Sequence, residues 1–214
     1  SAGGVTVTGG ICRFGSRTEE IMCGIVGYNG ARPVTDFLLD ALELLEYRGY
    51  DSAGLATINA ETGRTKLRKC AGRVADLRKV CENDKKQATC GIGHTRWATH
   101  GGVSDENAHP HRQGNVLLVH NGIVENYEEL RDHFMLSKDL KSETDTEVVA
   151  GVLNRYYEGD PHKAIAQTVK HLKGTFALVI IFDDIPDVIY AIRNVSPIVA
   201  ARTEDGTMLA SDVA

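Results

Sequence analysis

The sequence predicts an α+β protein, and three observations carry that reading. The run Cys23-Gly24-Ile25-Val26-Gly27-Tyr28 is apolar, strand-like and broken only by glycines. Over 33–47, Val34, Phe37, Leu38, Ala41, Leu42 and Leu45 recur at helical spacing and form one apolar face. Toward the other end, short apolar, β-branched runs at 175–182, 188–192, 198–201 and 208–210 are joined by Asp, Pro and Gly turns. A chain of 214 residues suits one domain or a compact pair of layers with a sizeable core.

Taken in order, residues 1–21 differ from the rest. Glycines punctuate a Val5-Thr6-Val7-Thr8 run, and the first residue is Ser1. We read this segment as an extension (a tag, a misplaced start or a propeptide), set apart from the fold but able to add an edge strand. Asn29-Gly30 signals a turn after the first strand. Pro33 suits the first turn of the helix that follows. Residues 46–54 are a polar, glycine-bearing link into a strand at 53–58. Glu61-Thr62-Gly63-Arg64 reads as a hairpin turn. Val74, Leu77, Val80 and Cys81 give 74–82 a short amphipathic helix, and 83–87 is a solvated charge run. Helices are expected over 126–136, from 144 onward and over 161–172. Thr144 and Glu147 have capping-box spacing at the start of the second, and Asp145 falls in its first turn, where the helix dipole stabilises a carboxylate.

Composition excludes several classes. A net charge of −5 does not suit a general nucleic-acid binder, which needs a basic face. The five cysteines are odd in number and contain no Cys-x-x-Cys pair, against a disulfide framework or a zinc knuckle. No segment approaches the ~18 apolar residues of a membrane span. Residues 1–21 lack the apolar centre of a secretory signal. These features lead us to expect a reducing, cytoplasmic context and no membrane.

Four stretches carry chemistry. If Cys23 became the N-terminal residue after loss of Met22, one residue would hold both a thiol nucleophile and an amine able to take its proton, since the amine titrates near pH 7.7–8.0. Otherwise Cys23 is a buried strand cysteine. The stretch 91–102 holds His94, Thr95, Arg96, Trp97, Thr99 and His100. An arginine fork matches a carboxylate, and an adjacent tryptophan can cover a small polar substrate. The plain alternative is a strand with a solvent-facing polar edge. Asn121-Gly122 lies between apolar runs, so it is either a tight hairpin turn or a pair of donors forming an oxyanion hole. Asp145 is an anion fixed at a helix start that could bind a substrate ammonium. A metal site built on His94, His100, His109, His111 and His120 is disfavoured, because no pair has ligand spacing on a helix.

Taken together, Cys23-Gly-Ile-Val-Gly27, Glu46-Tyr-Arg-Gly-Tyr-Asp-Ser-Ala-Gly54, His94-Thr-Arg-Trp-Ala-Thr-His-Gly101, Asn107-Ala-His-Pro-His111, His120-Asn-Gly-Ile123 and Ser142-Glu-Thr-Asp-Thr-Glu147 resemble the class II (N-terminal nucleophile) glutamine amidotransferase domain. The resemblance covers residues 22–214. Two motifs, 46–54 and 142–147, are worded most like the branch joined to sugar-phosphate isomerase domains that aminate fructose 6-phosphate. The branch joined to a phosphoribosyltransferase half shares the Cys-Gly start but words the second motif differently.

The resemblance implies a four-layer αββα sandwich of mainly antiparallel sheets. It implies that Cys23 is the nucleophile, with its own amine as base, and that Asn121 and Gly122 form the oxyanion hole. Arg96, with Thr99 and His100, would hold the glutamine carboxylate. Asp145, with the Gly122 carbonyl, would hold its ammonium, and Trp97 would belong to a mobile loop gating ammonia passage. Arg48 and Tyr50 would stand behind the site or at a domain boundary. No metal or organic cofactor is implied. The expected partners are L-glutamine, the isomerase domains not included in this chain, and a second copy in a homodimer of the full-length enzyme. Ile21-Met22 precede Cys23, so with these residues attached its nitrogen is an amide without a basic lone pair, and little glutaminase activity is expected. The alternatives are a catalytically dead glutamine-binding domain and the disfavoured histidine metal module.

Overall fold

The structure is a computed structural model that describes residues 5–8, 23–48, 50–59, 61–84, 88–98 and 101–212. In order they form β1 (Val5–Thr8), β2 (Gly24–Gly30), α1 (Val34–Leu45), a 3-10 turn at Glu46–Arg48, β3 (Ser52–Ile58), β4 (Thr65–Ala71), α2 (Val74–Cys81) and β5 (Cys90–Arg96). Then come β6 (His111–Gln113), β7 (Val116–Val124), α3 (Tyr127–His133), α4 (Asp145–Tyr156), α5 (Pro161–Val169), β8 (Gly174–Phe182), β9 (Ile185–Asn194), β10 (Val199–Thr203) and β11 (Gly206–Ala210).

Among the described residues the strands form two sheets, ordered β1-β9-β8-β7-β6 and β10-β11-β2-β5-β3-β4. Every pairing is antiparallel except β1 against β9, so the 5–8 run does add a strand at a sheet edge. Three apolar clusters define the layers. Val26, Leu38, Leu42 and Leu77 bind α1 and α2 to the outside of the six-stranded sheet. Ile25, Ile92, Leu117, Val179 and Ile189 fill the space between the sheets. Leu118, Leu130, Val149, Leu178 and Phe182 bind α3, α4 and α5 to the outside of the five-stranded sheet. The result is the αββα order that the family resemblance implies. Alternation explains it: Val26 and Tyr28 face the helices while Ile25, just before Val26, faces the other sheet, so one strand serves two cores.

Several local expectations change. Asn29-Gly30 remains in β2, and the bend falls at residues 31–32. Asn121-Gly122 makes no turn: both residues lie inside β7, opposite Ala177 and Phe176 of β8. The pairing partner decides this, because β8 arrives from a distant part of the chain and extends the strand through the Asn-Gly pair. The helix expected over 126–136 ends at His133, and the one over 161–172 ends at Val169. Val80 points outward on α2 while Val74, Leu77 and Cys81 are buried. Within the charge run, Asp84 is held by Lys66 and Arg68 at 2.8 and 2.9 Å, so it anchors β4 rather than serving solvation alone.

Candidate active site

The ends of β2, β3 and β5 meet at one edge of the sandwich. The antiparallel register sets Gly24 opposite Thr95 and Ser52 opposite Arg96. Cys23, one residue before β2, therefore lies beside the segment that leaves β5. The Trp97 N–H points at the Cys23 sulfur from 3.2 Å, and the Cys23 thiol faces the Trp97 carbonyl at 3.6 Å. Burial pushes the Cys23 thiol above its ordinary pKa. The Trp97 N–H and the charge of Arg96 oppose that rise, and Asp51 adds to it.

The second sheet reaches the same point through β7. Asn121 donates from Nδ2 to the Cys23 carbonyl at 2.7 Å, bridging the two sheets at Cys23. Gly122 has φ +124°, and a Cβ there would stand 2.1 Å from the Thr175 carbonyl. Only glycine fits that backbone. Below Asn121, the His94 ring nitrogen Nε2 lies 3.0 Å from both Asn121 Oδ1 and the His120 carbonyl. His120 Nδ1 is 3.0 Å from Thr146 Oγ1 and 3.7 Å from Asp145 Oδ2. Asp145 opens α4, is buried, and accepts the Val124 N–H at 2.9 Å. A continuous polar line thus runs from Cys23 through Asn121, His94 and His120 to Asp145.

Arg96 is 4 % exposed, which overturns the solvent-facing edge reading of β5. Its guanidinium donates to the carbonyls of Gly102 at 3.1 Å and Gly101 at 3.4 Å, holding the loop beyond. Trp97 is 45 % exposed at the rim. Thr99 and His100 lie outside the described residues. Tyr50 stands apart, half-buried with the Arg73 guanidinium 5.1 Å from its ring centre. The Arg48 backbone lies in the 3-10 turn that leads into β3. Thr144 caps α4 by accepting the Glu147 N–H at 3.2 Å. Glu147 does not complete the box: it reaches back to the N–H groups of Lys141 and Ser142 at 2.9 and 2.6 Å.

Three of the histidines pack ring against ring in the interior, one pair tilted and the other edge-on. The His94 and His109 rings are 4.2 Å apart, and His109 and His111 are 4.9 Å apart. Burial holds all of them, with His120, below the usual histidine range, His94 at about 3. Among the described residues no group of His, Cys, Asp and Glu is arranged to hold a metal ion. Two contributors escaped the sequence reading. His94 meets the Asn121 side chain at 3.0 Å, whereas the sequence reading placed it in the polar 91–102 stretch, in a family motif and among the metal candidates and gave it no role of its own. Asp51 accepts the Ala98 N–H and donates its own N–H to the Arg96 carbonyl at 2.7 Å, pinning the segment that carries Trp97. Its place between Tyr50 and Ser52 in a densely polar motif was the available signal. A cavity of about 560 Å³ opens beside Gly101, Arg131, Glu143 and Thr144, but neither Cys23 nor Asn121 lines it.

Cys23 thus has its sulfur facing the Trp97 N–H and its carbonyl bound by Asn121, and a family model matches the chain over the segment that carries Trp97 and Asn121. The model, described as a glutamine amidotransferase domain, matches residues 94–214. The chain belongs to this family. Glutamine–fructose-6-phosphate aminotransferase (isomerizing) from Clostridium acetobutylicum is 45 % identical over 196 residues, covering 90 % of this chain and 32 % of that protein. The Symbiobacterium thermophilum enzyme of the same name is 47 % identical over 195 residues, with the same two coverages. The amidotransferase domain therefore spans about a third of the length of these relatives. Among solved structures, glutamine phosphoribosylpyrophosphate amidotransferase from B. subtilis superposes with TM-score 0.73 at 24 % identity, covering 88 % of this chain and 42 % of that one. A glutamine aminotransferase class-II domain protein from Silicibacter pomeroyi gives 0.61 at 17 % identity, covering 90 % and 86 %. These two likenesses establish the fold of the amidotransferase domain and nothing finer.

Proposed function

We propose that this domain is a glutaminase that releases ammonia from L-glutamine for transfer to fructose 6-phosphate on sugar-phosphate isomerase domains of a longer, homodimeric enzyme. The observation that carries the chemistry is the Cys23 sulfur held at 3.2 Å by the Trp97 N–H, with the Asn121 amide beside it. The identities of 45 % and 47 % to named aminotransferases support the acceptor. A phosphoribosyl acceptor is the second reading, from the Cys23-Gly24 start that both branches of the family share. A cytoplasmic setting belongs to the same proposal; among the described residues no helix is long and apolar enough to cross a membrane.

In this reading Arg96, aided by Thr99 and His100, holds the substrate carboxylate. Asp145 and the Gly122 carbonyl hold the ammonium. The Cys23 sulfur attacks the carboxamide carbon while its proton passes to the α-amine of the same residue. The electron pair displaced onto the carbonyl oxygen is stabilised by Asn121 Nδ2 and the Gly122 N–H. The proton then moves to the departing nitrogen, the C–N bond breaks, and ammonia leaves a γ-glutamyl thioester. Water attacks the thioester, glutamate departs and the thiol is restored. Trp97 covers the site during these steps.

The amine is available only when Cys23 is the first residue. The test compares the chain carrying residues 1–22 with a form whose terminal Cys23 is confirmed by mass. Glutamate release from the second and little from the first is expected. Equal activity with the extension intact refutes the amine as base. Inactivity of both, with glutamine still bound, makes this a binding domain.

A further inference from the structure

We propose that His94 is a positioning residue for the amide cleavage: its neutral Nε2–H tautomer locks the Asn121 side chain with the amide nitrogen turned to Cys23. The inference rests on the glutaminase reading for its consequence but on geometry alone for the placement. The Cys23 carbonyl can only accept, so the Asn121 atom 2.7 Å away is the NH₂ group. That places Oδ1 toward His94, where it can only accept. The His120 carbonyl, also 3.0 Å from His94 Nε2, can only accept as well. The hydrogen must therefore reside on His94 Nε2 and be shared between them. Nδ1 then carries the lone pair, and among the described residues it is buried without a hydrogen-bond partner. The opposite tautomer would bury an orphan N–H and set a lone pair against two oxygens. The ring itself cannot tilt freely, because it is fully buried and packed against the His109 ring, 4.2 Å away between centres and inclined at 37°. Asn121 is thus held from both ends, and its second N–H is directed by atoms that do not touch substrate.

Two experiments decide this. In the chain as it stands, ¹⁵N ring shifts of His94 should report the Nε2–H tautomer between about pH 5 and 8. A Nδ1–H tautomer or a charged ring overturns the placement whether or not the protein turns over glutamine. In the Cys23-terminal form, His94→Leu should lower kcat by about tenfold or more with KM within about twofold, because a misdirected oxyanion donor is lost only in the transition state. His94→Gln, whose amide N–H can take the place of Nε2–H, should recover most of that loss. Equal kcat in His94→Leu and the parent, or equal failure of Leu and Gln variants with intact folding, overturns the role. A parent form that releases no glutamate sinks the glutaminase reading, and the ring shifts still decide the tautomer.

Discussion

In the proposed pocket, each charge of glutamine would face one buried partner, Arg96 for the carboxylate and Asp145 for the ammonium. Asp145 is 7 % exposed and Arg96 4 %, so a substrate charge left facing a neutralised or misplaced partner is not rescued by water. Asp145→Asn and Arg96→Lys should each raise the KM for glutamine, since a hydrogen bond to a charged group contributes about 1.5–3 kcal/mol, or roughly tenfold to a hundredfold. Steady-state kinetics of the Cys23-terminal form check this, and unchanged KM in both variants removes these residues from the pocket. Asn121→Ala should act differently. If its donor works on the oxyanion as proposed, kcat should fall by about 10²–10³-fold while KM moves little. A variant that loses only thermal stability would leave Asn121 as no more than the bridge to the Cys23 carbonyl.

At the scale of elements, β7 carries the site because it can pass close to β8 at Gly122. The φ of +124° and the Cβ approach of 2.1 Å to the Thr175 carbonyl make Gly122→Ala costly to the strand itself. We expect a loss of about 2–4 kcal/mol, read from urea unfolding, because backbone strain and a backbone clash add. Gly63, in the β3–β4 hairpin, is the control. Its φ is +62° and a Cβ there would meet nothing within 4 Å, so Gly63→Ala should cost only about 1–2 kcal/mol. Equal losses at the two positions would show that close approach to β8 is not what Gly122 provides.

For the whole molecule, four histidines are buried around the candidate site: His94 of β5 and His109 beside it, and His111 and His120 on the face of the other sheet that meets the start of α4. Burial lowers each of their pKa values, with repulsion from neighbouring histidines and Arg96 adding at His109. In the unfolded chain these rings take protons below about pH 6.5. The folded chain does not, so the unfolded state binds more protons there and stability falls as pH falls. Each histidine contributes up to about 1.4 kcal/mol per pH unit, so the four together give roughly 5 kcal/mol per unit at the steepest. Urea midpoints should be flat above about pH 7 and drop sharply between about pH 6 and 4. His94→Gln should shallow that slope by about a quarter. A midpoint constant down to pH 4 would mean that these rings are not held neutral.

What could be read along the chain was whatever repeats within it. The period of α1, the hairpin at Gly63, the Thr144 cap and the Pro161 start are local, and each occurs where its residues imply. The family motifs likewise named Cys23, Arg96, Asn121, Gly122 and Asp145, and the structure draws these onto one polar line and its flank. Tertiary structure decided the rest. Asn121-Gly122 has the local chemistry of a turn, yet β8 pairs with it across more than fifty residues and keeps it extended, since a ladder of cross-strand hydrogen bonds outweighs one dipeptide preference. No spacing announced that His94 would meet Asn121, because they reach each other from different sheets. A contact between layers depends on how two sheets are stacked, and stacking is a property of the packed core rather than of any single segment.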